Sequence, residues 1–89
     1  IKESIDFSGI LEMEDVSFAK ADLTNAAMSQ LTFKDVDFTE AHLNQADMTN
    51  AKFLDGTTFE KTIFKDADLT NAEFTGRERE LVDFSGATF

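Results

Sequence analysis

Three aspartates recur at intervals of twenty residues, at Asp15, Asp35 and Asp55, and two more stand at Asp47 and Asp68. Carboxylates repeated along a chain can bind a cation, meet a basic partner, or hold turns by accepting hydrogen bonds from backbone N–H groups. Catalysis needs a second kind of group set against them, and little is available. His42 is the single histidine, and an imidazole site requires convergent partners. It falls twenty residues after Asp22, and a surface imidazole beside a carboxylate is ordinary. There is no cysteine, so thiolate chemistry and disulfides are absent. No Walker loop, G-x-S-x-G elbow, H-E-x-x-H pair, EF-hand loop or N-x-S/T acceptor is found. The chain reads as no enzyme, with no cofactor and no metal. For Asp15, Asp35 and Asp55, turn formation is preferred over partner recognition. A weak Ca²⁺ site comes last, since it would need more oxygens than three.

The chain has 89 residues and a formal net charge of -10, from 18 acidic and 8 basic side chains. It lacks the basic footprint of a nucleic-acid binder, and its charge repels phosphate backbones and anionic membranes. The same charge favours a protein partner with a basic surface, or simply keeps the protein soluble. No apolar run reaches transmembrane length and no signal-peptide pattern opens the chain, which favours a cytoplasmic location. A first residue of Ile leaves room for a processed chain or a fragment of a longer one.

These residues must be positioned by something, and the apolar spacing says what. Met13, Phe18, Leu23, Met28, Phe33, Phe38, Leu43, Met48 and Phe53 follow one another at steps of five, and the spacing resumes at Phe59, Phe64, Leu69 and Phe74, then at Phe84 and Phe89. Two residues before each lies a smaller partner such as Val16, Ala21, Ala26 or Leu31. A period of five fits neither a helix nor a long strand. Two apolar residues two apart do share one side of a short extended segment. A chain that turns by a quarter every five residues closes a square after four repeats, so a coil should take twenty residues. Residues 11–30 and 31–50 match in that register: Leu11 with Leu31, Asp15 with Asp35, Val16 with Val36, Phe18 with Phe38, Met28 with Met48. Stacked coils that place like on like are what a solenoid core requires.

The segments ADLTN at 21–25, ADMTN at 46–50 and ADLTN at 67–71 resemble the A-(D/N)-L-x-x consensus of the pentapeptide-repeat family. AHLNQ, AKFLD and AEFTG are looser copies. The resemblance covers nearly the whole chain. It implies an all-β fold, a right-handed quadrilateral parallel β-helix of about four coils, as a single domain over 1–89. It also implies two functions to weigh. The first is an acidic scaffold or interaction module that binds a protein partner. The alternative is a DNA mimic, since some relatives resemble duplex DNA and bind gyrase and other type II topoisomerases. Against the alternative, such relatives have about twice as many coils, and here Lys residues lie on several faces.

The register breaks in three places. Phe7 to Met13 and Phe53 to Phe59 each contain an extra residue, so bulges are expected near 8–12 and 54–58, with Gly56 inside the second. Strict register would place Arg79 at a core centre, which is prohibitively costly for an unpaired guanidinium. Residues 76–82 are therefore expected to leave as an outward loop that presents Arg77 and Arg79. With Asp15, Asp35, Asp55, Asp47 and Asp68, these form the candidate interaction surface. Lys20, Glu40 and Lys61 read as a charge-alternating column, and Gln30, Asn50 and Asn71 as an amide ladder. No capping helix is visible, so the ends either continue in a longer protein or pair with a second copy as a homodimer.

Overall fold

The computed structural model describes residues 5–75 and 82–89. Among them there is no α-helix, and no helix long and apolar enough to cross a membrane. The regular elements are four short strands: β1 (Glu12–Glu14), β2 (Thr32–Lys34), β3 (Lys52–Phe53) and β4 (Glu73–Phe74). They form one parallel sheet in chain order. Met13 pairs with Phe33, Phe33 with Phe53, and Phe53 with Phe74. Isolated parallel bridges build further columns: Ser17–Asp37–Thr58, Asp22–His42–Ile63–Asp83, and Asp6–Ala27–Asp47–Asp68–Thr88. Sequential strands that pair in parallel need a wrap of chain between them. Here each wrap is a β-helical coil.

Each wrap turns because a residue just after the core centre, two places on in most repeats, adopts a left-handed backbone. Eleven described non-glycine residues have positive φ, among them Asp15, Lys20, Asn25, Gln30, Asp35, Glu40 and Gln45, all near 60°. Asn and Asp tolerate this region; Lys, Gln and Glu visit it rarely. The corner is over-determined by bonds on both sides. The next residue's N–H returns to the centre's carbonyl, as in Ala21 N to Phe18 O at 2.9 Å and Ala41 N to Phe38 O at 2.9 Å. Positive φ at the third position of such a turn is the type II geometry. The corner residue's own N–H reaches the next coil, as in Lys20 N to Thr39 O at 2.9 Å and Asn50 N to Thr70 O at 2.8 Å.

The interior is a set of stacked like residues. Phe33, Phe53 and Phe74 stack with centroids 5.0 and 4.5 Å apart, and Phe18, Phe38 and Phe59 stack at 5.5 and 5.7 Å. The two ladders meet edge to face, Phe33 against Phe38 at 76° and Phe53 against Phe59 at 74°. Leu23, Leu43, Phe64, Met28, Met48 and Leu69 fill the rest, all buried. Leu11 is 69% exposed and Phe89 is 64% exposed, whereas Leu31, the equivalent of Leu11 one coil on, is fully buried.

The extra residue after Phe53 changes the register. β2 and β3 pair twenty residues apart, β3 and β4 twenty-one. Asp37↔Thr58, His42↔Ile63 and Asp47↔Asp68 likewise span twenty-one. Gly56 takes the corner with φ 92°. A Cβ built on it would overlap Asp35 Oδ1, so the carboxylate of the coil below lies over the glycine. Thr57 and Thr62 point inward and are buried. Their hydroxyls donate to the carbonyls of Phe33 (3.2 Å) and Phe38 (2.7 Å), which gives each buried hydroxyl an acceptor. On the far side, Ile63 pairs with Asp83, twenty residues apart. The outward loop expected at 76–82 falls, except for Val82, outside the described residues. Val82 is half-buried against the core.

Candidate interaction surface

The aspartate that precedes a core centre does local work. Its side chain accepts from the backbone N–H two residues on, an Asx turn. Asp37 Oδ1 accepts from Thr39 N at 2.8 Å, Asp22 Oδ1 from Thr24 N at 3.1 Å, and Asp83 Oδ1 from Ser85 N at 2.8 Å. Asp47 and Asp68 are of this kind. Asp47 Oδ1 accepts from Thr49 N (3.2 Å) and Thr49 Oγ1 (2.9 Å). Asp68 Oδ1 accepts from Thr70 N (3.1 Å) and Thr70 Oγ1 (2.6 Å). Hydrogen bonds to the charged form favour it. The Thr70 side chain first, then its N–H, lowers the Asp68 carboxyl below the ordinary range. Ser8 does the same to Asp6, Thr39 to Asp37 and Ser85 to Asp83. At Asp37, partial burial opposes the shift and is outweighed.

Asp47 and Asp68 are bridge partners on adjacent coils and both are exposed. Their column runs Asp6, Ala27, Asp47, Asp68, Thr88. The positions just beyond the core centres of this face are Ser8, Ser29, Thr49 and Thr70, and its corners are Gly9, Gln30, Asn50 and Asn71. None of these is Lys or Arg. Gln30, Asn50 and Asn71 all have positive φ.

Asp15 and Asp35 occupy successive levels of another corner, both with positive φ. Asp55 does not join them. The inserted residue pushes it off the corner and Gly56 takes the place, so the third member of the expected column is a glycine. Glu14 joins instead: one carboxylate oxygen each from Glu14, Asp15 and Asp35 lie within 4.8 Å of one another, all on exposed residues. Glu14 Oε2 also meets Lys34 Nζ at 3.8 Å, both side chains more than half exposed. The trio supplies three oxygens, against the six to eight that Ca²⁺ takes. His42 bridges to Asp22 on the neighbouring coil and is exposed. Lys20, Glu40 and Lys61 do occupy successive levels of one corner, but the ion pair found among the described residues joins Lys34 and Glu14 instead. Arg77 and Arg79 lie outside the described residues. The Asx turns were visible as the D-x-T and D-x-S spacing within each repeat. The part played by Glu14 needed the paired strands β1 and β2.

Two family models match the sequence, both described as pentapeptide repeats, one over residues 14–53 and the other over 38–77. No curated protein matches it. Among solved structures, it is similar to a pentapeptide repeat protein from the thylakoid lumen of Arabidopsis thaliana, at 23% identity and a TM-score of 0.32 over 93% of this chain. The chain spans 57% of that protein's length.

Proposed function

We propose that this chain, which belongs to the pentapeptide-repeat family, works as a rigid, non-enzymatic interaction module that binds a basic surface on a protein partner. In this reading it is a four-sided, right-handed β-helix of about four coils. The columns of parallel pairing and their steps of twenty or twenty-one residues support the sides and the coil length. The hand follows the general preference of parallel crossovers.

The observation that carries the reading is the face bearing Asp6, Asp47 and Asp68. Asp47 and Asp68 stand on neighbouring coils, Asp6 lies beyond Ala27, and no cation stands among them in the described residues. The Asx turns hold one oxygen of each carboxylate in place, and among the described residues no hydrogen bond is formed by the second oxygen of Asp47 or Asp68. Charges already fixed by a rigid scaffold lose little conformational freedom on meeting a guanidinium.

The test is binding of a fluorescent arginine-rich peptide at low and moderate salt. Asp47→Asn with Asp68→Asn should weaken binding more than the charge-matched pair Asp15→Asn with Asp35→Asn. Equal losses from both pairs would reduce the effect to net charge and sink the reading. Inhibition of gyrase supercoiling by the wild-type protein, abolished by the same Asp47 and Asp68 changes, would favour a DNA mimic instead.

A further inference from the structure

The inserted residue creates a chemical environment found nowhere else among the described aspartates. Asp55 is followed by Gly56, and both are exposed. The other described aspartates are followed by larger residues: Phe after Asp6, Asp37 and Asp83, Leu after Asp22 and Asp68, Val after Asp15 and Asp35, Met after Asp47, Ala after Asp66. Six of them also spend a carboxylate oxygen on the N–H two residues on. Asp66 is followed by an amide already given to a carbonyl, Ala67 N to Phe64 O at 3.0 Å. Asp55 has neither restraint. Its carboxylate forms no hydrogen bond among the described residues, and the Gly56 N–H donates to no carbonyl there, although the corner amides of Asp15, Lys20, Asn25, Gln30, Glu40, Gln45, Asn50 and Asp66 all do.

We propose that Asp55 is a site of spontaneous isomerisation to isoaspartate, and that folding suppresses the same reaction at the aspartates it holds in Asx turns. The Gly56 amide nitrogen attacks Asp55 Cγ and loses its proton, and a carboxyl oxygen departs with two protons as water. The resulting five-membered imide takes up one water. Opening at the β-carbonyl restores aspartate. Opening at the α-carbonyl leaves the main chain running through Cβ and Cγ, with a free α-carboxylate and no net change in mass. Glycine suits the step because no Cβ shields its nitrogen and its backbone can follow the ring closure. The product carries an extra methylene in the main chain where the coil already lengthens, a covalent change that alters the backbone argument locally.

The experiment incubates the intact protein for weeks at neutral pH in water enriched in heavy oxygen. Peptide mapping then reads the Phe53–Lys61 fragment, and enzymatic methylation counts isoaspartyl carboxylates. Heavy oxygen and methylation should accumulate several-fold faster in that fragment than at any other aspartate. Asp55→Glu, at an exposed site with no hydrogen bond to lose, should abolish the signal while leaving the circular dichroism spectrum unchanged. A parallel incubation in urea tests the contribution of the fold. A native rate at Asp55 comparable with the unfolded rate, together with suppression at the other aspartates on folding, is the expected result. Isomerisation at Asp55 that appears only in urea, or that is no faster than elsewhere in the native protein, overturns the proposal.

Discussion

Replacing Phe38 by alanine tests the stacked core directly. Phe38 is fully buried. It stacks on Phe18 and Phe59 at 5.5 and 5.7 Å and meets Phe33 and Phe53 edge to face at 5.1 and 6.1 Å. Truncating a buried Phe costs about 3–5 kcal/mol from lost transfer energy and the cavity left behind. Aromatic pairs add about 0.5–1.5 kcal/mol each beyond area, though not additively. The ladder neighbours are held by coils above and below and cannot collapse freely into the gap, which places the expected loss near the upper end, about 5 kcal/mol. A domain of this length has a total stability of the order of 5–10 kcal/mol, so the variant should sit close to its unfolding midpoint. Because each coil contacts only its neighbours, a lesion in a middle coil uncouples both sides. The assay is urea unfolding followed by far-ultraviolet circular dichroism, since the chain has neither Trp nor Tyr. Phe38→Leu, which keeps most of the volume, should lose far less. Phe89→Ala, at a residue 64% exposed, should cost under about 1 kcal/mol. Equal losses at Phe38 and Phe89 would refute the assignment of the core.

Three further outcomes are expected. Gly56→Ala should destabilise by more than Gly9→Ala: both have positive φ, but a Cβ at Gly56 overlaps Asp35 while one at Gly9 meets nothing within 4 Å. Comparing urea midpoints of the two variants, each also with Asp35→Ala, should show the Gly56 deficit shrinking in the double variant alone. Thr62→Val removes the hydroxyl bonded to the Phe38 carbonyl, which keeps the Ala41 N–H as a donor, and should cost about 0.5–1.5 kcal/mol, the net contribution of one hydrogen bond, measured the same way. For pH, the Asp37 carboxyl is lowered in the folded state, chiefly by Thr39. Stability from this source is present above the unfolded carboxylate value and is lost as pH falls through it towards the folded one. Urea midpoints taken from neutral to strongly acidic pH should fall in that window, and Thr39→Ala should flatten the fall.

Much of the surface was legible from the pattern Asp-x-Thr, because an Asx turn needs only residues two apart and asks nothing of the rest of the fold. The candidate column at Asp15 and Asp35 was legible for a different reason: twenty residues bring the chain back to the same corner. Its extension to Asp55 failed because equal spacing in sequence is equal spacing in space only while every coil has the same length. The extra residue lies just before the corner, and backbone conformation selects Gly56 for it, since glycine reaches φ 92° without steric cost.

The sequence by itself determined the repeat, the identity of the core residues and the all-β character, because burial every five residues is a local demand that each repeat states again. Only the tertiary structure decided how the coils lock across the insertion. It set the hydroxyls of the inward residues Thr57 and Thr62 against the carbonyls of Phe33 and Phe38. It brought Glu14 beside Asp15 and Asp35, and it left the Asp55 carboxylate without a hydrogen bond among the described residues. Those contacts join residues on different coils, and a one-residue change in register reassigns every one of them.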